Sequence, residues 1–148
     1  MRSVCSSFDV VAPGRRCFVD VTTELCRAVE DAGVSEGFAI AFTAHTTCAL
    51  IINEWEDGVL ADLSSRVAQL VPDDAYYAHD DMRVRTQNLI DDERRNGAAH
   101  LVSMIMGGAS HAIPISAMKP VLGRWQRLFL FELDEPKERT IRIHIYGE

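Results

Sequence analysis

The chain has 148 residues, 47% of them hydrophobic and 25% charged, with 15 basic and 22 acidic side chains and a formal charge of −7. That is one domain with a core of useful size and the composition of a folded soluble protein. The acidic balance argues against sequence-independent nucleic-acid binding and against an anionic membrane surface, which both need surplus cations, and no apolar run approaches the roughly 20 residues of a membrane span.

Met1 to Ser7 lacks the apolar stretch of a secretory signal, so a cytoplasmic protein is expected. The four cysteines, Cys5, Cys17, Cys26 and Cys48, show no C-x-x-C spacing and are expected as reduced, packed thiols. Val4, Ser6, Phe8 and Val10 alternate with Cys5, Ser7 and Asp9 as a first strand; Pro13-Gly14 marks a turn, and Cys17, Val19 and Val21 share one face of a second. Thr22-Thr23-Glu24 predicts a helix start capped by a hydroxyl. Leu25, Ala28, Val29 and Ala32 are its buried stripe and Gly33 its C-cap. Phe38 to Thr43 and Cys48 to Ile52 predict two apolar strands with His45-Thr46-Thr47 between them. A longer helix is expected from Asn53 or Glu54, with Trp55, Val59, Leu63, Val67 and Leu70 apolar and Pro72 ending it.

Residues 72–86 form a long polar loop holding Tyr76, Tyr77 and His79. Asp91, Asp92 and Glu93 suit the positive end of another helix, running to Gly107-Gly108. Ala112 to Ile115 is a short strand. Trp125 to Glu132 is apolar on both faces, as in a central strand, and in Arg139 to Gly147 the residues Ile141, Ile143 and Ile145 alternate with polar ones. The elements do not repeat as βαβ units. They predict a single α+β domain over 1–148, with a large, mainly antiparallel sheet and a few helices packed on it.

None of the five histidines sits in a local zinc motif, so any site must be assembled from distant segments. His45 meets the end of an apolar strand, His79 lies in the long loop, and His100 lies with Glu93, Asn96 and Ser103 on one polar stripe of a helix. Three imidazoles with an open position are the ligand set of a catalytic metal, and each is equally compatible with an ordinary hydrogen-bonded role. Asn53, Glu54 and Asp57 serve either as helix-end partners or as a carboxylate base near the imidazoles. Gln126 and Glu132 share a strand face but are roughly 20 Å apart, so one small site in one subunit cannot use both; Arg139 or Arg142 is the structural partner Glu132 would need if buried. Gly107-Gly108-Ala109-Ser110 is better explained as a C-cap than as an anion cradle, because a helix C-terminus carries the wrong dipole sign.

The segments HTTCALIINEWEDGVLADL (45–63), YYAHDD (76–81), NGAAHL (96–101), GGASHAIPI (107–115), LGRWQRLFLFELDEP (122–136) and RTIRIHIYG (139–147) together resemble the YjbQ family, also called UPF0047 and often described as secondary thiamine-phosphate synthase. The resemblance covers nearly the whole chain. It implies an α+β fold with a large antiparallel sheet, a homotrimer, and a pocket near a subunit interface that binds a metal or an anion. His45, His79 and His100 fall on the family's histidine positions; Asn53, Glu54, Asn96, Ser110, Gln126 and Glu132 fall on its other recurring polar positions. Where the family reads close to DGPR-x-R, this chain has Asp134-Glu135-Pro136-Lys137-Glu138-Arg139, and Met118-Lys119-Pro120 replaces a glycine-containing turn.

The implied activity joins a pyrimidine diphosphate to a thiazole phosphate with release of pyrophosphate. The expectation is a metal-assisted enzyme acting on phosphorylated small molecules. His45, His79 and His100 would hold zinc, magnesium or manganese, with Glu54 and His100 catalytic and Asn53, Asn96, Ser110, Gln126 and Glu132 contacting substrate. Arg124, Arg127 and Arg139 are the local cations available to a diphosphate. The alternative is a non-catalytic trimeric module that binds a metal or an anion.

Overall fold

Alternating and doubly apolar segments become strands as their patterns require. The structure, a computed structural model, describes residues 1–148. In chain order the elements are β1 (Arg2–Val10), β2 (Phe18–Asp20), α1 (Thr22–Ala32), β3 (Glu36–Thr43), β4 (Cys48–Glu54), α2 (Asp57–Leu70), α3 (Gly97–Met106), β5 (Ser110–Ser116), β6 (Lys119–Pro120), β7 (Gln126–Glu132) and β8 (Arg139–Gly147). All pairings are antiparallel. One sheet has the order β1-β8-β3-β5-β6 and a second the order β2-β7-β4.

The two sheets and the helices form layers. Ile141, Ile143 and Ile145 of β8, Ala39 and Ala41 of β3, and Ile113 and Ile115 of β5 face Leu50, Leu128 and Leu130 of the smaller sheet, with Leu25 and Val29 of α1 closing that core. The opposite face of the smaller sheet, through Ala49 and Phe131, packs on Val67 of α2 and on Ala98, Ala99 and Val102 of α3. Strands β4 and β7 are thus covered on both sides, which is why 128–131 is apolar at successive positions. The expected α+β domain is present.

Two boundaries and one cap differ from expectation. Asn53 and Glu54 finish β4 rather than start α2. That helix begins at Asp57 under the cap of Glu56, whose Oε1 accepts from Gly58 N at 2.7 Å and Oε2 from Val59 N at 2.9 Å. Its buried residues are Leu60 and Val67, while Val59 and Leu70 are exposed and Trp55 packs edge-on to Phe129. Second, Asp91 to Glu93 precede α3 in a turn. Third, Thr22 does not cap α1: its Oγ1 bonds the backbone of Leu128 across the core. Gly33 and Gly107 close α1 and α3 in the left-handed conformation, with φ of 60° and 62°, as their expected C-cap roles require.

The sheets meet at a buried ion pair. Glu132 ends β7 and Arg139 opens β8, and their side chains are 0% and 3% exposed. Arg139 Nη2 donates to Glu132 Oε1 at 2.6 Å and Nε donates to Oε2 at 2.7 Å, a two-point contact that only a guanidinium makes. Replacing Arg139→Met leaves a buried carboxylate unpaired and should cost about 3–5 kcal/mol in urea unfolding, whereas the double replacement Glu132→Leu/Arg139→Met should recover most of that loss. Equal losses for the single and double variants would contradict this assignment.

Candidate functional site

The β3–β4 connection, Ala44–Thr47, is held from below by that ion pair: Arg139 Nη2 also donates to Thr47 Oγ1 at 3.0 Å and to Thr47 O at 3.3 Å. This places His45 on one wall of a cleft of about 480 Å³, with His100 and Ser103 of α3 and the Gly107-Gly108-Ala109 turn also lining it. Ser103 Oγ donates to Cys48 O at 2.9 Å and fastens α3 to the start of β4. Gly108 sits where a Cβ would come within 2.7 Å of Leu50 O, so the turn requires glycine to lie this close to β4. His45 Nε2 accepts Thr140 N–H at 3.0 Å, which puts the proton of the neutral ring on Nδ1. Burial, and then the charge of Arg139, holds the His45 pKa below the ordinary histidine value.

The second imidazole group assembles at the start of α3. Asp80 Oδ1, from the 3₁₀ turn Ala78–Asp80, accepts from Asn96 N at 3.0 Å and Gly97 N at 2.9 Å and so caps the helix from a distant loop. This frees the Asn96 side chain, whose Oδ1 takes a hydrogen bond from His79 Nε2 at 3.1 Å. His79 and His100 lie with ring centroids 4.5 Å apart. Arg85 ties the loop together, with Nη1 2.7 Å from Glu93 Oε2 and donating to His79 O at 3.2 Å. The His100 pKa is lowered by burial and then by the neighbouring His79, and no hydrogen bond within the chain engages its ring. The expected polar stripe is therefore real for His100 and Ser103 on the helix, while Glu93 and Asn96 join the same cluster from just before it.

The other expected residues go elsewhere. Glu54 stands opposite Gln126, and Asn53 opposite Arg127, in the β4–β7 ladder, with Cys48 opposite Glu132 at its other end. Six strand steps put Glu54, Asn53 and Gln126 roughly 20 Å from the imidazole end. A single chain thus does not bring Glu54 to His100 as a base. Gln126 Oε1 accepts from Gly123 N at 2.8 Å, and Glu132 is consumed by Arg139. Ser110 opens β5 opposite Phe42, next to the cleft-lining Ala109. Sequence reasoning missed Asp80, Arg85 and Asp134, which act across long sequence separations with no local spacing to reveal them. In the altered corner, Lys137 Nζ lies 2.7 Å from Asp134 Oδ2, so its charge is already paired. Burial would raise the Asp134 pKa, but Lys137, Asn96 and Arg94 outweigh it and hold the carboxyl below its usual range.

The donor set does not fit a three-histidine metal centre within one chain. No three His, Cys, Asp or Glu side chains stand close enough together to hold an ion. His45 and His79 also spend Nε2 on Thr140 and Asn96. What the arrangement offers is a cleft with two neutral imidazoles, one of them free to exchange a proton.

The whole chain has close relatives in sequence and structure. Residues 6–148 match the family model described as UPF0047 protein YjbQ-like. A UPF0047 protein of Methanothermobacter thermautotrophicus is 35% identical over 130 residues, 88% of this chain and 82% of the relative. One from Synechocystis is 34% identical over 142 residues, 94% of this chain and 89% of its own length. A crystal structure of a YbjQ-like protein of unknown function from Sulfolobus solfataricus superposes with a TM-score of 0.84 at 33% identity, covering 99% of both chains. A hypothetical protein from Aeropyrum pernix gives 0.83 at 31% identity, covering 98% of this chain and 99% of its own.

Because the folded-state pKa values of His45 and His100 lie below the unfolded one, their contribution to stability is present above about pH 6.5 and is lost as pH falls through the folded values. Urea midpoints should be flat from neutral pH down to that point and decline below it, and His100→Gln should shallow the decline. An unchanged slope in the variant would remove His100 from this role.

Proposed function

The chain belongs to the UPF0047 family of YjbQ-like proteins, whose names state no activity, and we propose its function from the chemistry of its own cleft. The cleft is the reaction centre of a small enzyme acting on phosphorylated small molecules. Thiamine-phosphate-synthase-like transfer, implied by the sequence resemblance, is one reaction of this class. The observation that carries the proposal is His100: a half-buried imidazole, held neutral, with no hydrogen bond from the chain to its ring, and facing the same cleft as His45.

A neutral imidazole is a proton acceptor near physiological pH, and positioned general bases contribute about 10²–10⁴ in rate. His45 complements it as a donor, because Thr140 keeps its proton on Nδ1. Arg139 acts on His45 at short range while its charge is paired with Glu132, so a negative ligand group would be held on this wall chiefly by hydrogen bonding to the imidazole. The base role thus passes from Glu54 to His100, and His79 with Asn96 positions the His100 ring. Asn96 and Ser110 stay the expected substrate contacts, set just outside the cleft, whose own polar lining besides the imidazoles is Thr43, Thr46 and Ser103. A divalent metal could join only if further ligands come from outside one chain. Such a centre, like the homotrimer, is an expectation of the resemblance. The exposed Met104 and Ile105 of α3 and the half-exposed Leu101 and Phe42 beside the cleft are the apolar surface a second copy would cover. No helix is long and apolar enough to cross a membrane, and a cytoplasmic location stays part of the proposal. The second reading, a non-catalytic anion-binding module, is favoured by the internal hydrogen bonds that already hold His45 and His79.

Two measurements separate these readings, and a third tests the trimer. In NMR titrations inorganic phosphate should raise the pKa of His45 and His100, and no response would reject an anion site. Against a panel of small organic phosphates, His100→Ala should lose about 10²-fold or more in turnover at unchanged folding. Phosphate binding without turnover of any compound by the native chain would select the module. Light scattering should give about three times the 16.5 kDa chain mass, and a monomer would remove the trimer.

A further inference from the structure

A larger cleft, of about 690 Å³, lies at the other end of β7 between α1 and the β5–β6 hairpin. Lys119, Arg124 and Arg127 line it, with Glu30 as its one lining carboxylate. None of these three cations is in an ion pair. Arg124 lies over the ring of Trp125, 4.6 Å from its centroid, and Arg127 Nη1 donates to the backbone of Gln126 at 3.0 Å. Around the histidines the opposite holds: Arg85, Lys137 and Arg139 each have a carboxylate within 2.7 Å. In a chain of formal charge −7, these three exposed, unpaired cations gather on one concave surface and give it a local positive character suited to an anion.

The hairpin that walls the cleft is tightly turned. The hairpin turn that walls the cleft has Ala117 at φ 51° and Met118 at φ 61°, both in the left-handed region where glycine or asparagine is usual. Glu36 Oε1 holds the strained turn by accepting from Ser116 Oγ at 2.9 Å and Ala117 N at 3.2 Å. Both central residues of a two-residue hairpin adopt this region, so the turn gives the cleft a fixed wall.

We propose that this cleft is a second binding site, taking the phosphate or diphosphate group of a small organic phosphate on Lys119, Arg124 and Arg127. The 60% exposed Trp125 ring beside it is a stacking surface for a planar ligand body. Glu30, on the opposite wall, accepts from a ligand hydroxyl. About 20 Å of β7 separates the site from the imidazoles, so it does not depend on the reaction assigned to them.

The chain has two tryptophans, and Trp55→Phe leaves Trp125 as the sole reporter at this cleft. In that background, titration with inorganic pyrophosphate should change the emission saturably. Lys119→Gln with Arg127→Gln should weaken the apparent affinity about tenfold or more, and His100→Ala should leave it unchanged. The proposal is overturned if millimolar pyrophosphate gives no saturable change, if removing the two charges has no effect while circular dichroism confirms folding, or if His100→Ala abolishes the signal.

Discussion

The Glu132–Arg139 pair is the contact on which the arrangement depends. It closes the corner between the last strand of each sheet, and three further contacts radiate from it. Arg139 reaches Thr47 and so sets the loop that carries His45. Glu132 Oε1 accepts from Asp134 N at 2.9 Å, which turns Asp134 toward Lys137 and the start of α3. The guanidinium charge also depresses the His45 pKa. A buried pair returns little net stability after desolvation, so its value here is positional: it permits one relative placement of the sheets and of the two imidazole walls.

Elements whose signal is local were legible. The alternation of Ile141, Ile143 and Ile145 and the double burial of β7 follow from side-chain period and layer order, and Gly33 and Gly107 from backbone geometry. The α2 boundary was misread because Asn53 and Glu54 look like helix-end residues, yet their ladder with Arg127 and Gln126 extends β4 and Glu56 takes the cap. Tertiary pairing overrode a local preference, as it commonly does.

The site was legible in part. His45, His79 and His100 gather at one end of the fold, but as an adjacent pair and a third ring across the cleft, not as a ligand triad. What sequence could not show is the cap that Asp80 places on α3, 16 residues upstream of Asn96. A helix end satisfied by a remote carboxylate leaves no local motif. It does leave Asn96 free to hold His79, which a self-capping asparagine could not do.

The unequal charge pairing of the two clefts has a kinetic consequence. Around the imidazoles Arg85, Lys137 and Arg139 already have their counter-charges, so little of their field extends beyond a Debye length, about 8 Å at physiological ionic strength. A ligand reaches that cleft without local electrostatic steering. The unpaired cations beside Trp125 project outward and draw anions from farther away, so arrival there slows as salt rises. One acidic chain thus presents two mouths of different local charge, and the one beside Trp125 offers an anion its unpaired cations.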